Sequence, residues 1–283
     1  MITVELEHFS LDKICDSGQC FRMKKLGDGH FSMVAGDQYL EMYQKDGVVE
    51  FCCSQEEFIC YWVLYFDLDT DYQSIRKKID SGDSYLARAA EFGKGIRILR
   101  QDLWEMVITF IISQQNHIKR IRRIIGLLCE KYGERRRCPE SSQGDRRFYD
   151  TFPGPERLAA AGLEELRECN LGYRARYVKE TAEQILKGDV ILEEIAGLEY
   201  PAAKQELLRC CGVGSNVADC ICLFGLHMLQ AFPVDTHIRQ ILALHYPEGF
   251  PFDRYQGYEG VFQQYLFYFD LFGEKGGAAR DIS

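Results

Sequence analysis

The chain is 283 residues long, 46% hydrophobic and 13% aromatic, which excludes a disordered polymer and supplies apolar material for one large core or two. No apolar run approaches a membrane span, and MITVELEHFS has no basic stretch leading into an apolar one, so neither an anchor nor a secretory signal is expected. A formal net charge of −9 excludes a uniformly basic surface, yet not local anion sites, because basic residues cluster at Lys119, Arg120, Arg122 and Arg123, at Arg135–Arg137, and at Arg174 with Arg176.

Residues 1–52 alternate as strands do. Phe31, Met33 and Ala35 interleave with Ser32 and Val34, and Tyr39, Glu41 and Tyr43 interleave with Leu40 and Met42. Asp46-Gly47 predicts a hairpin turn before Val48, Val49 and Phe51, and Leu26-Gly-Asp-Gly29 predicts another. From residue 54 the pattern turns helical, first in EEFICYWVLYFDLDTDY, with an end near Asp67. Asp102 is the expected N-cap of a helix whose Trp104, Val107, Ile108, Ile111 and Ile112 recur at three and four. ERRRCPESSQGDRR reads as a polar loop. Pro153-Gly-Pro155 breaks the chain before a helix over 156–168, and further helices fit 173–187, 201–209, 215–228, 235–245 and 254–272. The expected class is α+β: a small N-terminal antiparallel β-sheet domain of residues 1–95, then a larger all-α domain of residues 96–283 with a helix-hairpin-helix at 201–228.

Twelve cysteines are present, but Cys52-Cys53 and Cys210-Cys211 are vicinal and no C-x-x-C occurs, so reduced thiols are expected rather than disulfides or zinc. Nothing after Cys222 is cysteine, which leaves no ligands for a C-terminal iron–sulfur cluster.

The most informative segment is LLRCCGVGSNVADCICLFGLHMLQAFPVDTHIR, residues 207–239. Gly212 and Gly214 permit a tight turn around Val213, and the free N–H groups opening the next helix suit one phosphate. Alone, this reads sooner as an ordinary αα-hairpin with a glycine C-cap. The spacing to Pro233-Val-Asp235 favours nucleic acid. Asp235 is placed as an N-cap, and a carboxylate held at a helix N-terminus stays ionised, as stabilising an oxocarbenium-like sugar requires. His237 is either a phosphate contact or a plain surface histidine.

Ser17-Gly-Gln-Cys-Phe21, Phe110-Ile-Ile-Ser-Gln-Gln-Asn116, Leu171-Gly-Tyr-Arg-Ala-Arg-Tyr177, Val217-Ala-Asp-Cys-Ile-Cys-Leu223 and residues 260–267 follow one another with the hairpin in fixed order. In these motifs, over nearly its whole length, the chain resembles the 8-oxoguanine DNA glycosylases of the helix-hairpin-helix, Gly-Pro-Asp superfamily. The resemblance implies removal of 8-oxoguanine opposite cytosine from double-stranded DNA, with strand cleavage through a Schiff base formed by a lysine after the hairpin. Here that position is Asn216, whose amide nitrogen delocalises its lone pair and cannot serve as an amine nucleophile. Either Asn216 was introduced to hold uncleaved DNA, the explanation favoured by the otherwise matching site, or the protein has lost its lyase step. Both make the chain catalytically impaired.

By the same resemblance, Gly18 presents its carbonyl to the N7 hydrogen of the damaged base, Cys220 and Phe267 sandwich the ring, and Gln263 reads its Watson–Crick edge. Gln115, Asn116 and His117 fill the vacated stack, with Gln115 a departure from an asparagine-rich triplet. Tyr173 is the wedge, and Arg174 and Arg120 contact the estranged cytosine. Cys210-Cys211 replaces an expected Leu-Pro. No cofactor is required, although the carbonyls of Leu208, Cys210 and Val213 are candidates for a structural monovalent or calcium ion. The protein is expected to be a monomer, cytoplasmic and nucleoid-associated if bacterial, or nuclear if eukaryotic. The rival readings are a non-catalytic lesion-binding protein and a monofunctional alkyl-base glycosylase in which Asp235 supports attack by water.

Overall fold

The structure is a computed structural model and describes residues 1–139 and 147–273. Five strands form one antiparallel sheet in the order β1-β5-β4-β3-β2: β1 Ile2–Glu5, β2 Met23–Gly27, β3 His30–Ala35, β4 Gln38–Lys45 and β5 Val48–Phe51. The Asp46-Gly47 turn between β4 and β5 has φ of 50° and 82°, the left-handed pair a two-residue hairpin of this twist needs. Phe31, Met33, Leu40, Met42 and Phe51 are buried on one face, packed with Trp62 and Phe66 from the helical stretch capped by Ser54.

The opposite face is covered too. Ser32 and Val34 are buried as well, and a short ribbon of β6 (Arg135–Arg137) and β7 (Phe148–Asp150) reaches this face, where Val34 and Tyr39 pack with Cys138 and Tyr149. Arg135–Arg137 is therefore a strand and not the start of the expected polar loop. Its charge is accommodated because Arg136 pairs with Asp37 at 2.8 Å and Glu134 at 3.1 Å. Residues 140–146 of that loop lie outside the described residues.

The helices that position the site are α1 (Leu11–Asp16), α2 (Ser84–Phe92), α3 (Leu103–Ser113), α4 (Ile118–Tyr132), α5 (Arg174–Leu186), α6 (Tyr200–Leu207), α7 (Ser215–Gly225), α8 (Thr236–His245) and α9 (Glu259–Phe272). Asp102 caps α3 by accepting from the Glu105 N–H, and Asp83 caps α2 in the same way. The helix expected over 156–168 is broken: Pro155–Ala160 and Leu163–Leu166 are separated at Ala161-Gly162, where extended backbone interrupts the ladder. Helix α9 begins at Glu259 rather than 254 and runs through the second core, where Phe262, Tyr265 and Leu266 are fully buried. The segment Tyr72–Phe92 packs in this helical core and not under the sheet, so the two cores do not divide at residue 95.

Candidate active site

The hairpin joins α6 to α7 through Leu208–Gly214. Gly212 has φ +80°, and a Cβ there would lie 2.5 Å from Tyr177 Cγ, so only glycine fits. Surrounding polar groups hold the turn: Gln184 Oε1 accepts from Cys211 N–H at 2.9 Å, Thr181 donates to the Cys211 carbonyl at 2.9 Å, and Gln114 donates to the Gly212 carbonyl at 2.9 Å. Replacing the expected Leu-Pro by Cys210-Cys211 thus leaves a turn held from outside. Gly214 caps α7 without a side-chain acceptor and is exposed, which leaves the first-turn N–H groups facing outward. Gly212→Ala is expected to cost about 2 kcal/mol by overpacking against Tyr177, read as a lower urea midpoint, and to weaken duplex binding alongside.

On α7, Asn216 and Cys220 are one turn apart and share a face. The Asn216 Oδ1 is buried and has no hydrogen-bond partner among the described residues. Burial pushes the Cys220 thiol pKa well up, with the Asp235 and Asp219 carboxylates adding to it, so Cys220 is a neutral apolar surface rather than a thiolate. Asp235 lies at the N-terminus of α8, where its Oδ1 accepts from the Ile238 N–H at 2.8 Å. Neither Lys204 nor Lys179 is free to substitute for position 216. Lys204 is ion-paired with Asp219 at 2.7 Å, and Lys179 donates to the carbonyls of Ala159 and Ala161.

Helix α9 supplies the facing wall. Gln263, buried, donates to the Pro233 carbonyl at 3.1 Å, while its Oε1 is left buried without a donor. One turn on, the Phe267 ring lies against Gly18, where a Cβ would come within 3.0 Å of Phe267 Cε1. His237 is half-exposed. Its Nδ1 is 2.8 Å from Asp270 Oδ2, and its ring meets Phe267 edge-on at 5.7 Å, so it is bound to α9 rather than standing free. Gly18, Phe267, Gln263, Asp235 and Cys220 therefore converge on one place, although they come from four separate parts of the chain.

The gap-filling group is adjacent. Gln115 sits exposed at φ 51°, a left-handed conformation that asparagine tolerates better than glutamine, and Asn116 donates to the Ile112 carbonyl at 2.8 Å. His117 caps α4, its Nδ1 accepting from the Arg120 N–H at 3.3 Å, while the Arg120 side chain is exposed. Arg174 is buried and donates to the carbonyls of Gln114 and Gln115, so in this state it braces the turn. Burial lowers its pKa, Tyr173 opposes this and the Arg120 charge adds to it, which puts both arginines in one neighbourhood. Tyr173 is 51% exposed, with the Arg174 guanidinium 4.4 Å from its ring centre: a protruding aromatic on a charged base.

Three participants escaped sequence reasoning. Gln114 ties the turn to the hairpin, Asp270 orients His237, and Gln264 donates to the Ser17 carbonyl at 2.7 Å. A glutamine gives no periodic signal, and the partner of Gln264 is 247 residues away.

Residues 1–107 match the N-terminal domain of 8-oxoguanine DNA glycosylases, and residues 108–248 match the HhH-GPD superfamily of base excision DNA repair proteins. The Saccharomyces cerevisiae N-glycosylase/DNA lyase is 30% identical over 271 residues, which span 87% of this chain and 70% of that protein. The Clostridium acetobutylicum 8-oxoguanine glycosylase/lyase, solved with dsDNA containing cytosine opposite 8-oxoG, superposes with a TM-score of 0.84 at 35% identity, covering 93% of this chain and 92% of that one. The 3-methyladenine DNA-glycosylase of Archaeoglobus fulgidus shares the fold alone, with a TM-score of 0.74 at 19% identity over 96% of this chain and 99% of that one. The two matched domains, in the same order and over nearly the full length, place this chain among the 8-oxoguanine DNA glycosylases of the HhH-GPD superfamily.

Proposed function

We propose that this chain recognises 8-oxoguanine paired with cytosine in double-stranded DNA, flips it into the space between α7 and α9, and, with Asn216 in place of an amine, excises it slowly and without a Schiff base. The observation that carries the reading is the convergence of Gly18, Phe267 and Cys220 with two buried, unpaired acceptors, Asn216 Oδ1 and Gln263 Oε1. Unpaired buried acceptors cost about 1–3 kcal/mol each. The amino and imino donors of an extruded purine would repay the one on Gln263.

The damaged base differs from guanine at N7, where it carries a hydrogen and guanine a lone pair, so a carbonyl at Gly18 attracts one and repels the other. Tyr173 and the Gln115-Asn116 turn would enter the vacated stack, with Arg120 and Arg174 at the widowed cytosine. Asp235 would stabilise positive charge developing on the sugar. A cation at the hairpin would take the carbonyls of Leu208, Cys210 and Val213; the Cys210 carbonyl already accepts the Val213 N–H at 3.1 Å and has one lone pair left to give. A duplex substrate sets the action of the protein wherever the cell keeps its DNA, nucleoid or nucleus.

The test is binding to matched duplexes with 8-oxoguanine, guanine or 3-methyladenine at one position. Tighter binding of the 8-oxoguanine:cytosine duplex is expected, with log K falling linearly in log salt at roughly −0.9 per neutralised phosphate. Equal affinity for all three, or affinity indifferent to salt, would overturn the reading. Preference for and excision of 3-methyladenine would favour the alkyl-base alternative.

A further inference from the structure

We infer that Gln264 is a positioning residue for lesion specificity: its side-chain amide locks the Ser17–Gly18 peptide, and through it the direction of the Gly18 carbonyl. The inference rests on the base-recognition reading above and adds a residue to which the sequence motifs assign no role.

Gly18 lacks a Cβ and sits at φ +77°, so left to itself its two flanking peptides rotate easily. A carbonyl free to rotate discriminates poorly, because it can turn away from the lone pair of guanine as readily as it meets the hydrogen of the oxidised base. The structure removes that freedom from both sides. On the N-terminal side, Gln264 Nε2 donates to the Ser17 carbonyl at 2.7 Å, and the Ser17 hydroxyl accepts from Gln19 Nε2 at 2.9 Å. On the C-terminal side, Gln101 Nε2 donates to the Gln19 carbonyl at 2.8 Å, while Gln19 Oε1 accepts the Leu99 N–H at 2.9 Å. Ser17, Gln19 and Gln264 are each at most 1% exposed, so no water competes for these bonds.

Between the two held carbonyls, that of Gly18 accepts no hydrogen bond among the described residues. Lying between two held carbonyls, it is an acceptor left for a ligand. Phe267, three residues after Gln264 on the same helix, closes over Gly18. One helix therefore holds the loop from below with an amide and covers it with a ring, and its neighbouring Gln263 faces the Pro233 side. Adjacent glutamines on α9 thus serve different walls: Gln263 touches the base, and Gln264 acts only through Gly18.

The experiment measures equilibrium affinity of the intact chain for three duplexes: 8-oxoguanine:cytosine, guanine:cytosine, and a tetrahydrofuran abasic analogue opposite cytosine, which has no base to read. Gln264→Met keeps length and burial but loses the donor. It is expected to reduce the 8-oxoguanine over guanine affinity ratio about tenfold, while affinity for the abasic analogue stays within about twofold. Gln264→Glu supplies a second readout and carries the test if the Met variant fails to fold. Burial raises the pKa of the introduced carboxyl; its protonated form donates to the Ser17 carbonyl, and its ionised form repels it. The ratio for Gln264→Glu is therefore expected to be low near pH 8 and to recover towards the wild-type value as pH falls, while the wild-type ratio changes little. An unchanged ratio in Gln264→Met, a parallel loss on all three duplexes, or a flat pH profile for Gln264→Glu overturns the inference. A wild-type chain that does not prefer 8-oxoguanine overturns instead the reading on which it rests.

Discussion

Asn216→Lys is expected to convert the chain into a strand-cleaving enzyme, raising cleavage of an 8-oxoguanine:cytosine duplex by roughly 10³-fold or more and making the complex trappable with borohydride. The side chain at 216 is on the first turn of α7, and its terminal oxygen is already buried without a partner, so the position has both enclosure and unused polar capacity. A lysine placed there meets partial positive charge from the helix N-terminus and loses solvent, and both effects lower the pKa of an ammonium and free its lone pair. Beside it, Cys220 is held neutral by burial and by the carboxylates of Asp235 and Asp219. Lys204 and Lys179 are committed elsewhere, Lys204 to Asp219 and Lys179 to the backbone carbonyls of Ala159 and Ala161.

The Asn216 chain should show no borohydride adduct, and its product, where any base is released, should be an unbroken strand with an abasic site. Equal trapping of both proteins would mean that some other amine reaches the sugar, and the assignment of position 216 would fall. Gain of trapping without gain of base release would separate the two steps and leave Asp235 as the group limiting excision. Activity in the Asn216 chain matching that of the lysine variant would refute the impairment argued from the amide.

How far this was legible in the chain depends on the reach of each interaction. Asp102, the Asp46-Gly47 turn and the Gly212–Gly214 hairpin are local devices, in which residue type and backbone need lie within four positions, and each was readable. Asp235 was readable as a cap for the same reason. The β6–β7 ribbon was not: Arg135–Arg137 is charged, pairs with Phe148–Asp150 only after an intervening segment, and its Arg136 is paired with Asp37 from the distant turn between β3 and β4. Its presence also explains why Val34 and Tyr39 are buried on the face opposite Phe31 and Met33. The residues that meet at the site were legible as motifs, whereas the groups that hold them were not. Arg174 was expected at a base and is found bracing the Gln114-Gln115 carbonyls, and His237 is bonded to Asp270, because a motif gives residue type and not the state of its partners.

Asp67→Ala is expected to be the most destabilising of the single substitutions considered, at about 3–5 kcal/mol, a fall of about 10 °C in Tm for a chain of this size. Asp67 is almost wholly buried and sits at φ 51°, where the chain leaves the Gln55–Tyr65 helical stretch. Its Oδ1 accepts from Arg100 at 3.1 Å and Thr70 at 2.9 Å; its Oδ2 accepts from Tyr72 at 2.9 Å and lies 3.2 Å from His227 Nε2. Burial alone would raise its pKa, but His227, through hydrogen bond and charge, and the Tyr72 and Thr70 hydroxyls outweigh it and bring it down from 3.8 to about 2. His227 belongs to the loop that follows α7 and leads to Pro233 and Asp235, so this one carboxylate ties the N-terminal half to the segment that carries Asp235. Removing it leaves Arg100 and His227 facing a vacancy. Because the folded-state pKa lies below the unfolded one, the native state binds fewer protons between pH 2 and 4. The contribution is complete above about pH 4 and is lost as pH falls through 2, amounting to about 2 kcal/mol. Urea titrations from pH 6 to pH 2 should therefore show the stability gap between wild type and Asp67→Asn narrowing by that amount on acidification. A gap constant across the range would show that the carboxylate contributes through shape rather than charge.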